Sequence, residues 1–297
     1  MSGKHADLPV AGGAAAVPES MKSLRSALRI LMEFTSERAG TTIGELAAAT
    51  GLGKSHVSKA VAAFVESGLL VQDAKSRTIN VGVRAFVLGA RFVNHDRLAR
   101  EAMPVLRDLM RRSGHSTRLS VQDGDRVLYL LGAEGPMFVN TGWRVGTWLP
   151  AHATTAGRVL LAFSDPCSTA GLLGSGPLAR LTRHTLTDRR ALARLLLRVS
   201  ADGYAIQRDE TTQGLGTIGV PIFDAGQALA GALSLAFPSH LVGAADESGL
   251  IEQLHSAARM LSQRLGCPVY PFGGRKPAHT AANRTGPKSM TLRGPAR

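Results

Sequence analysis

Only two cysteines occur in 297 residues, Cys167 and Cys267, and neither belongs to a CxxC or Cys/His cluster. That spacing argues against a disulfide framework and a structural zinc site, and fits free thiols in a reducing cytosol. No apolar run approaches the ~20 uncharged residues that a membrane-spanning helix needs. Val10–Val17 is short, weakly apolar and preceded by Asp7 and Pro9, which makes a poor signal-peptide core. No cofactor or metal motif is legible. Aromatic residues are scarce at 5%, and acidic residues number 22 against 35 basic ones. The expectation is a cytoplasmic protein without a cofactor.

What is present is enough for a folded core, since 44% of residues are hydrophobic and 19% charged. The formal charge of +13 favours an anionic partner such as nucleic acid. Part of it sits in a tail after Pro271, which holds Arg275, Lys276, Arg284, Lys288, Arg293, Arg297 and no acid. Taking those six from +13 leaves +7, so the body is basic too.

Residues 1–21 are rich in Ala, Gly and Pro, lack any period and are expected to be disordered. A tightly patterned segment follows, spanning residues 22–82. Leu24, Leu28 and Leu31, with Ala27 and Phe34 alongside, form one apolar helical face. Thr42-Ile43-Gly44-Glu45 has the form of a capping box, with Ile43, Leu46 and Ala47 turned inward. Gly51 supplies a left-handed helix end. A third helix runs from about Lys54 to Ser67, with Val57, Val61 and Phe64 inward and Lys54, Ser55, His56, Ser58 and Lys59 away from that face. Leu69–Val71 and Thr78–Val81 then read as two strands around a polar turn holding Lys75 and Arg77. Helix, helix, turn, helix and hairpin in this order make a winged helix-turn-helix. Its third helix needs one apolar face for its own domain and a small, polar or basic face for the major groove. The expected DNA-binding residues are therefore Lys54, Ser55, His56, Ser58 and Lys59, with Lys75 and Arg77 on the wing for phosphate or minor-groove contact.

Residues 83–113 read as two linking helices, a connector and dimerisation region outside either core. Val83, Val87 and Ala90 face inward in the first, and Leu98, Ala102, Val105, Leu106 and Leu109 in the second. Pro104 would kink the second helix or mark its first turn. From 114 to 267 short strands alternate with helices. Asp123-Gly124-Asp125 marks a hairpin, and helices are expected at about 153–163, 188–201 and 246–265. Strands recur at 204–207, 217–223 and 228–236. The fold class is α+β, with an antiparallel sheet domain after the winged helix. Residues 268–297 read as a disordered basic tail.

The segments Leu52-Gly53-Lys54-Ser55 through Gly68, Leu149-Pro150-Ala151-His152-Ala153-Thr154-Thr155-Ala156-Gly157-Arg158, and Gly219–Asp224 followed by Ala232-Leu233-Ser234 resemble the IclR family of bacterial regulators. The resemblance runs in order over about residues 23–266. It implies a winged-helix domain, a linker helix and a GAF-like effector domain. It also implies homodimers, and dimers of dimers, on near-palindromic double-stranded DNA. A small organic effector, a carboxylate or aromatic acid, would sit between the sheet and the helix that starts at Ala156-Gly157. Backbone N–H groups at a helix start favour such an anion. The matching pocket positions are Thr141, Leu149, Thr155, Ala156, Gly157, Gln207, Leu215, Thr217, Ser234 and Ala236. Gln207, Thr217 and Ala236-Phe237 depart from the family's common pattern, and imply a pocket that is less acidic and more apolar on that side.

Two other classes remain open on the residues alone. One is a ligand-binding or assembly protein without specific DNA recognition. The other is a small-acid enzyme using His152 with Asp209 and Glu210, for which no nucleophile, metal or cofactor motif speaks. Asp188, Asp209 and Glu210 suit helix-cap or loop roles, and Trp143 and Trp148 suit either pocket lining or partial burial.

Overall fold

The computed structural model describes residues 21–35, 40–136, 145–165, 169, 171 and 173–273. The expected disorder of residues 1–20 and of the chain beyond 273 lies outside the described residues, as does Cys167. Cys267 is buried as a free thiol.

The N-terminal unit contains α1 (Lys22–Met32), α2 (Ile43–Thr50), α3 (Lys54–Glu66), β1 (Leu70–Gln72) and β2 (Ile79–Val81). Thr42 and Glu45 form the expected capping box, so the first turn of α2 has its orphan amides satisfied. Gly51 ends α2 at φ +68°, which lets α3 start one tight turn later. β1 and β2 pair antiparallel, and a bridge between Thr41 and Ile79 adds a third short edge to the wing. Ile30, Leu46, Val57, Val61, Leu70 and Ile79 form the core of this unit. The expectation for α1 needs correction. Ile30 is buried and Leu31 half-buried, whereas Leu24 and Leu28 are each 51% exposed. Ile30 turns inward with Leu31 and Phe34 packed against the core, and the first half of the expected stripe, Leu24 and Leu28, stays outside.

α4 (Val83–His95) leaves the wing through a close crossing of Gly68 and Gly82. A Cβ on Gly82 would come within 2.3 Å of the Gly68 carbonyl oxygen, so only glycine fits that crossing. No residue of α4 is buried, and of its expected inward stripe Val83 and Val87 are exposed while Ala90 is half-buried among the described residues. α5 (Arg97–Ser113) differs from its assignment as a connector. Asp96 caps it, Pro104 lies well inside it, and Ala99, Ala102, Val105, Leu106 and Leu109 are buried in the core of the sheet domain. Five buried residues on one face make α5 a structural layer of that domain.

The sheet has six antiparallel strands in the order β5-β4-β3-β8-β7-β6. They are β3 (Ser116–Asp123), β4 (Arg126–Ala133), β5 (Trp148–Pro150), β6 (Ala205–Arg208), β7 (Leu215–Phe223) and β8 (Leu229–Pro238). Successive side chains on a strand point to opposite faces. One face, with Leu119, Ile218, Val220, Ile222, Leu233, Leu235 and Phe237, packs on α5 and on α8 (Ala244–Arg264). The other face, with Val127, Ala205 and Ala232, packs on α6 (Thr155–Phe163) and α7 (Arg189–Asp202). The start assigned to the disordered tail also moves. Tyr270 is 8% exposed, its hydroxyl donates to the Pro221 carbonyl and meets His255 Nδ1 at 3.0 Å, and Arg259 donates to the carbonyls of Phe272 and Gly273. Residues 268–273 are thus strapped across the domain.

Candidate functional site

On α3, Lys54, Ser55, Ser58 and Lys59 are all exposed, while Val57 and Val61 on the opposite face are buried. Exposed Ala62 and Ala63 continue the outer face with little bulk. His56 departs from the expected pattern. It is half-buried, and its Nε2 is shielded from solvent with no hydrogen-bond partner among the described residues. That nitrogen is not offered outward with its neighbours.

The wing is held by one carboxylate. Asp73 Oδ1 accepts from the amides of Lys75 and Ser76 and from the Ser76 hydroxyl. Those bonds, the Ser76 amide first, hold the Asp73 carboxyl below its usual range. Lys75 and Arg77 are exposed beyond that turn, and Arg77 takes a left-handed backbone at φ +59°.

The second candidate site lies where α6 meets the sheet. Thr154 caps α6 by accepting from the Gly157 amide at 2.9 Å, which leaves Thr155 and Ala156 ahead of the capped position. A Cβ on Gly157 would approach the Ala151 carbonyl oxygen to 2.2 Å, so Gly157 allows the short 3-10 turn at Ala151–Ala153 to press on α6. Its expected place among effector contacts is therefore overlaid by a packing role. Beneath the helix start lies Gly219, where a Cβ would come within 3.2 Å of the Thr155 backbone.

Around that point the polar side chains form one chain of hydrogen bonds. Thr155 Oγ1 donates to Thr217 Oγ1 at 3.1 Å, and Gln207 Nε2 donates to the same oxygen at 2.9 Å and to Thr211 Oγ1 at 3.3 Å. Register places Gln207 beside Thr217, Thr217 beside Ala236, and Ser234 beside Gly219. Leu215 shares their strand face by alternation. The structure thus brings Thr155, Ala156, Gln207, Leu215, Thr217, Ser234 and Ala236 to one face. Leu149 stands apart on β5, at the opposite edge of the sheet from Gln207. Thr141 and Trp143 lie outside the described residues. Trp148 donates to Asp123 Oδ2 and stacks under Arg126 instead of reaching that chain. On this face Gln207 and Thr217 supply neutral polar groups beside the apolar Leu215 and Ala236.

Several residues here were not singled out from sequence. Arg158, in the second turn of α6, is 1% exposed; its two terminal nitrogens donate to the two Glu210 oxygens at 2.8 and 2.6 Å, and its Nε donates to the His152 carbonyl. Glu210 also accepts from the Leu186 amide, while its own amide donates to Gln207 Oε1. One buried ion pair therefore ties the helix start, the 179–187 loop and the Gln207 chain together. On the same sheet face Arg118 pairs with Glu134 at 2.5 Å, and the Ser120 hydroxyl is buried with no partner among the described residues. An Arg inside the apolar run Ala156–Phe163, and another in Ser116–Ser120, were the legible signals.

The acid-base candidates are engaged in structural bonds. His152 Nε2 meets the Ala179 carbonyl at 2.9 Å, and burial holds its imidazole below the usual pKa. Asp209 Oδ1 accepts from the Gly214 amide and the Ser239 hydroxyl, and Asp188 caps α7. Among the described residues there is no cluster of ligands able to hold a metal. No described helix is long and apolar enough to cross a membrane.

Comparison with known proteins adds an independent line. Residues 23–74 match the model of the IclR helix-turn-helix domain, and residues 90–263 match that of the bacterial transcriptional regulator IclR C-terminal domain. The chain is 34% identical to the HTH-type transcriptional regulator BhcR of Paracoccus denitrificans over 82% of this chain and 86% of that protein. It is 29% identical to KdgR of Escherichia coli, over 86% and 97% respectively. Among solved structures, an IclR homolog from Microbacterium hydrocarbonoxydans complexed with 4-hydroxybenzoate superposes with a TM-score of 0.71 at 26% identity, covering 82% of this chain and 98% of that one.

Proposed function

The chain belongs to the IclR family of bacterial transcriptional regulators, and from that premise we propose how its two sites divide the work. The chain is a regulator with a helix-turn-helix DNA-binding domain and a ligand-binding C-terminal domain. The output site is the outer face of α3, where Lys54, Ser55, Ser58 and Lys59 enter the major groove, with Lys75 and Arg77 on the adjacent backbone. His56 joins them by a side-chain rotation on binding. In this reading residues 22–82 read DNA, α4 connects, and α5 through residue 273 forms the sensing domain, which the packing of α5 on the sheet supports.

The input site is the face under the start of α6. Its single strongest support is the hydrogen-bonded chain Thr155–Thr217–Gln207, which supplies neutral hydroxyl and amide groups beside helix-start amides. Such a set suits a small organic acid, as the 4-hydroxybenzoate in the Microbacterium relative illustrates for that protein. Exposed Val83, Phe86, Val87 and Leu88 on α4, with Leu24 and Leu28 on α1, support assembly as a homodimer, so that two recognition helices meet a near-palindromic operator. Ligand at α6 would then act by changing the separation of those helices. A cytoplasmic, non-enzymatic protein fits this reading, since His152 and Glu210 are engaged in packing bonds.

The test is fluorescence anisotropy on DNA from upstream of its own gene, with and without a panel of small organic acids. Sequence-specific binding that an acid shifts, and that Gln207→Leu with Thr217→Val no longer lets it shift, is the expected result. Binding with no preference over random DNA, or an acid response untouched by that double variant, would refute the assignment.

A further inference from the structure

A cavity lies on the other face of the sheet, away from α6. It is a groove of about 480 Å³ between the start of β3, the loop after β8 and the first turns of α8. That volume is within the range of small-molecule sites. Leu241, Val242 and Leu250 give it an apolar wall, and His115, Gln253 and Asp246 its polar groups.

Two of those polar groups are left unmatched. His115 is 5% exposed, and its Nδ1 has no hydrogen-bond partner among the described residues. Gln253 Oε1 is in the same condition. A buried polar atom without a partner is destabilising, so two in one groove call for something to pair with them. His115 is held in place by its amide, which donates to Ser113 Oγ, and by its ring, which lies 5.8 Å from that of Phe237. It cannot simply turn to find water without giving up that packing.

We propose that this groove is a second small-molecule site, and that it takes a neutral molecule with a hydroxyl group on an apolar body. A hydroxyl both donates and accepts, so it satisfies either tautomer of His115 and either orientation of the Gln253 amide. A carboxylate would face the Asp246 side chain, which lines the same groove. An ammonium would meet an Asp246 carboxylate already engaged in capping the Gly243 amide, and would face the positive end of the 21-residue helix α8. Burial lowers the His115 pKa, which keeps the imidazole neutral and removes the counter-charge an acid would want. The chemistry is therefore different from that of the site under α6.

The groove is also wired to the sensing face. Arg208, next to Gln207 on β6, donates to the Ser239 and Val242 carbonyls and pairs with Glu247, and so braces the loop that forms one rim. An occupant would tighten the rim on which β6 rests.

The test is isothermal titration of the full chain with benzyl alcohol, benzylamine and benzoate as matched neutral, cationic and anionic probes. Gly249 lines the groove inside α8 and a Cβ there meets nothing within 4 Å, so Gly249→Leu fills the space without harming the helix. Benzyl alcohol should bind once per chain, about tenfold more weakly to His115→Phe, and not at all to Gly249→Leu. Gln207→Ala should leave that binding unchanged, and any benzoate binding should be indifferent to Gly249→Leu. Benzyl alcohol binding that survives Gly249→Leu, that vanishes in Gln207→Ala or that never saturates would overturn the proposal. So would benzylamine binding the groove as tightly, or a change of oligomeric state in Gly249→Leu, which would make the groove a protein interface.

Discussion

Removing the Glu210 carboxylate isolates a guanidinium that has almost no access to water. Arg158 is 1% exposed and Glu210 15%, and their two bonds of 2.8 and 2.6 Å have the fork geometry of a strong pair. In Glu210→Ala the Arg158 charge keeps only the His152 carbonyl on Nε, and the Leu186 amide loses its acceptor. Breaking a buried pair on one side costs about 3–5 kcal/mol. For a sensing domain of this size that corresponds to a fall in Tm of roughly 10 °C. Glu210→Gln keeps the shape and one carbonyl oxygen and should lose about half as much. Replacing both partners, as Arg158→Met with Glu210→Leu, should recover part of the loss, because the cost is chiefly that of an uncompensated buried charge. Urea denaturation followed by tryptophan fluorescence reads this cleanly, since both tryptophans, Trp143 and Trp148, lie in the sensing domain. A loss below about 1 kcal/mol in Glu210→Ala would refute the reasoning, because that is how a screened surface pair behaves.

Three further outcomes follow from other parts of the molecule. Phe86, 75% exposed on α4, should carry dimer affinity and not monomer stability; Phe86→Lys is expected to weaken the dimer by ~30-fold or more in sedimentation, with the urea midpoint of the monomer unchanged. Gly157→Ala places a Cβ 2.2 Å from the Ala151 carbonyl and should lower the sensing-domain Tm by several degrees, whereas loss of ligand response at unchanged Tm would make Gly157 a contact residue only. His255 is buried on Tyr270, and burial lowers its pKa from 6.5 to about 4. The unfolded chain therefore takes up a proton that the folded chain refuses, so stability should fall as pH drops from about 6.5 towards 4, by about 3 kcal/mol in all. His255→Phe should flatten that part of the pH profile, and an equally steep profile in the variant would remove His255 as its source.

Much of the N-terminal unit was legible because its signals are local. The Thr42–Glu45 box, Gly51 and the Val57/Val61/Phe64 stripe each specify backbone geometry within a few residues, and each appears where expected. The sheet domain was legible as a class, from the hairpin at Asp123–Asp125 and from strands between helices. The misplacements have a common origin, which is that amphipathicity names a face without naming what covers it. Leu24, Leu28, Val83 and Val87 look like core residues by spacing, yet among the described residues they are half or more exposed. α5 carries the same kind of stripe, and it is covered by the sheet. Tyr270 was lost to a tail defined by composition, although one aromatic residue is enough to anchor a strap. The pairing of Arg158 with Glu210 spans 52 positions and has no local signature, so only the folded chain reveals it. On the α6 side of the sheet, Thr155, Ala156, Gln207, Leu215, Thr217, Ser234 and Ala236 come together as the family pattern suggested, Leu149 does not join them, and the Thr155–Thr217–Gln207 bonding had no signature in the sequence.

The central claim is that specific DNA recognition resides in the exposed face of α3. Ser55→Ala with Lys59→Ala touches that face alone, because both residues are exposed and Val57 and Val61 remain to hold the domain core. Anisotropy titrations of this variant and the parent chain, on promoter and on random DNA across a range of salt, measure the claim directly. The variant should bind promoter DNA at least ~10-fold more weakly, lose most of its preference over random DNA, and show a salt slope shallower by about one. An unchanged promoter affinity and footprint would contradict it.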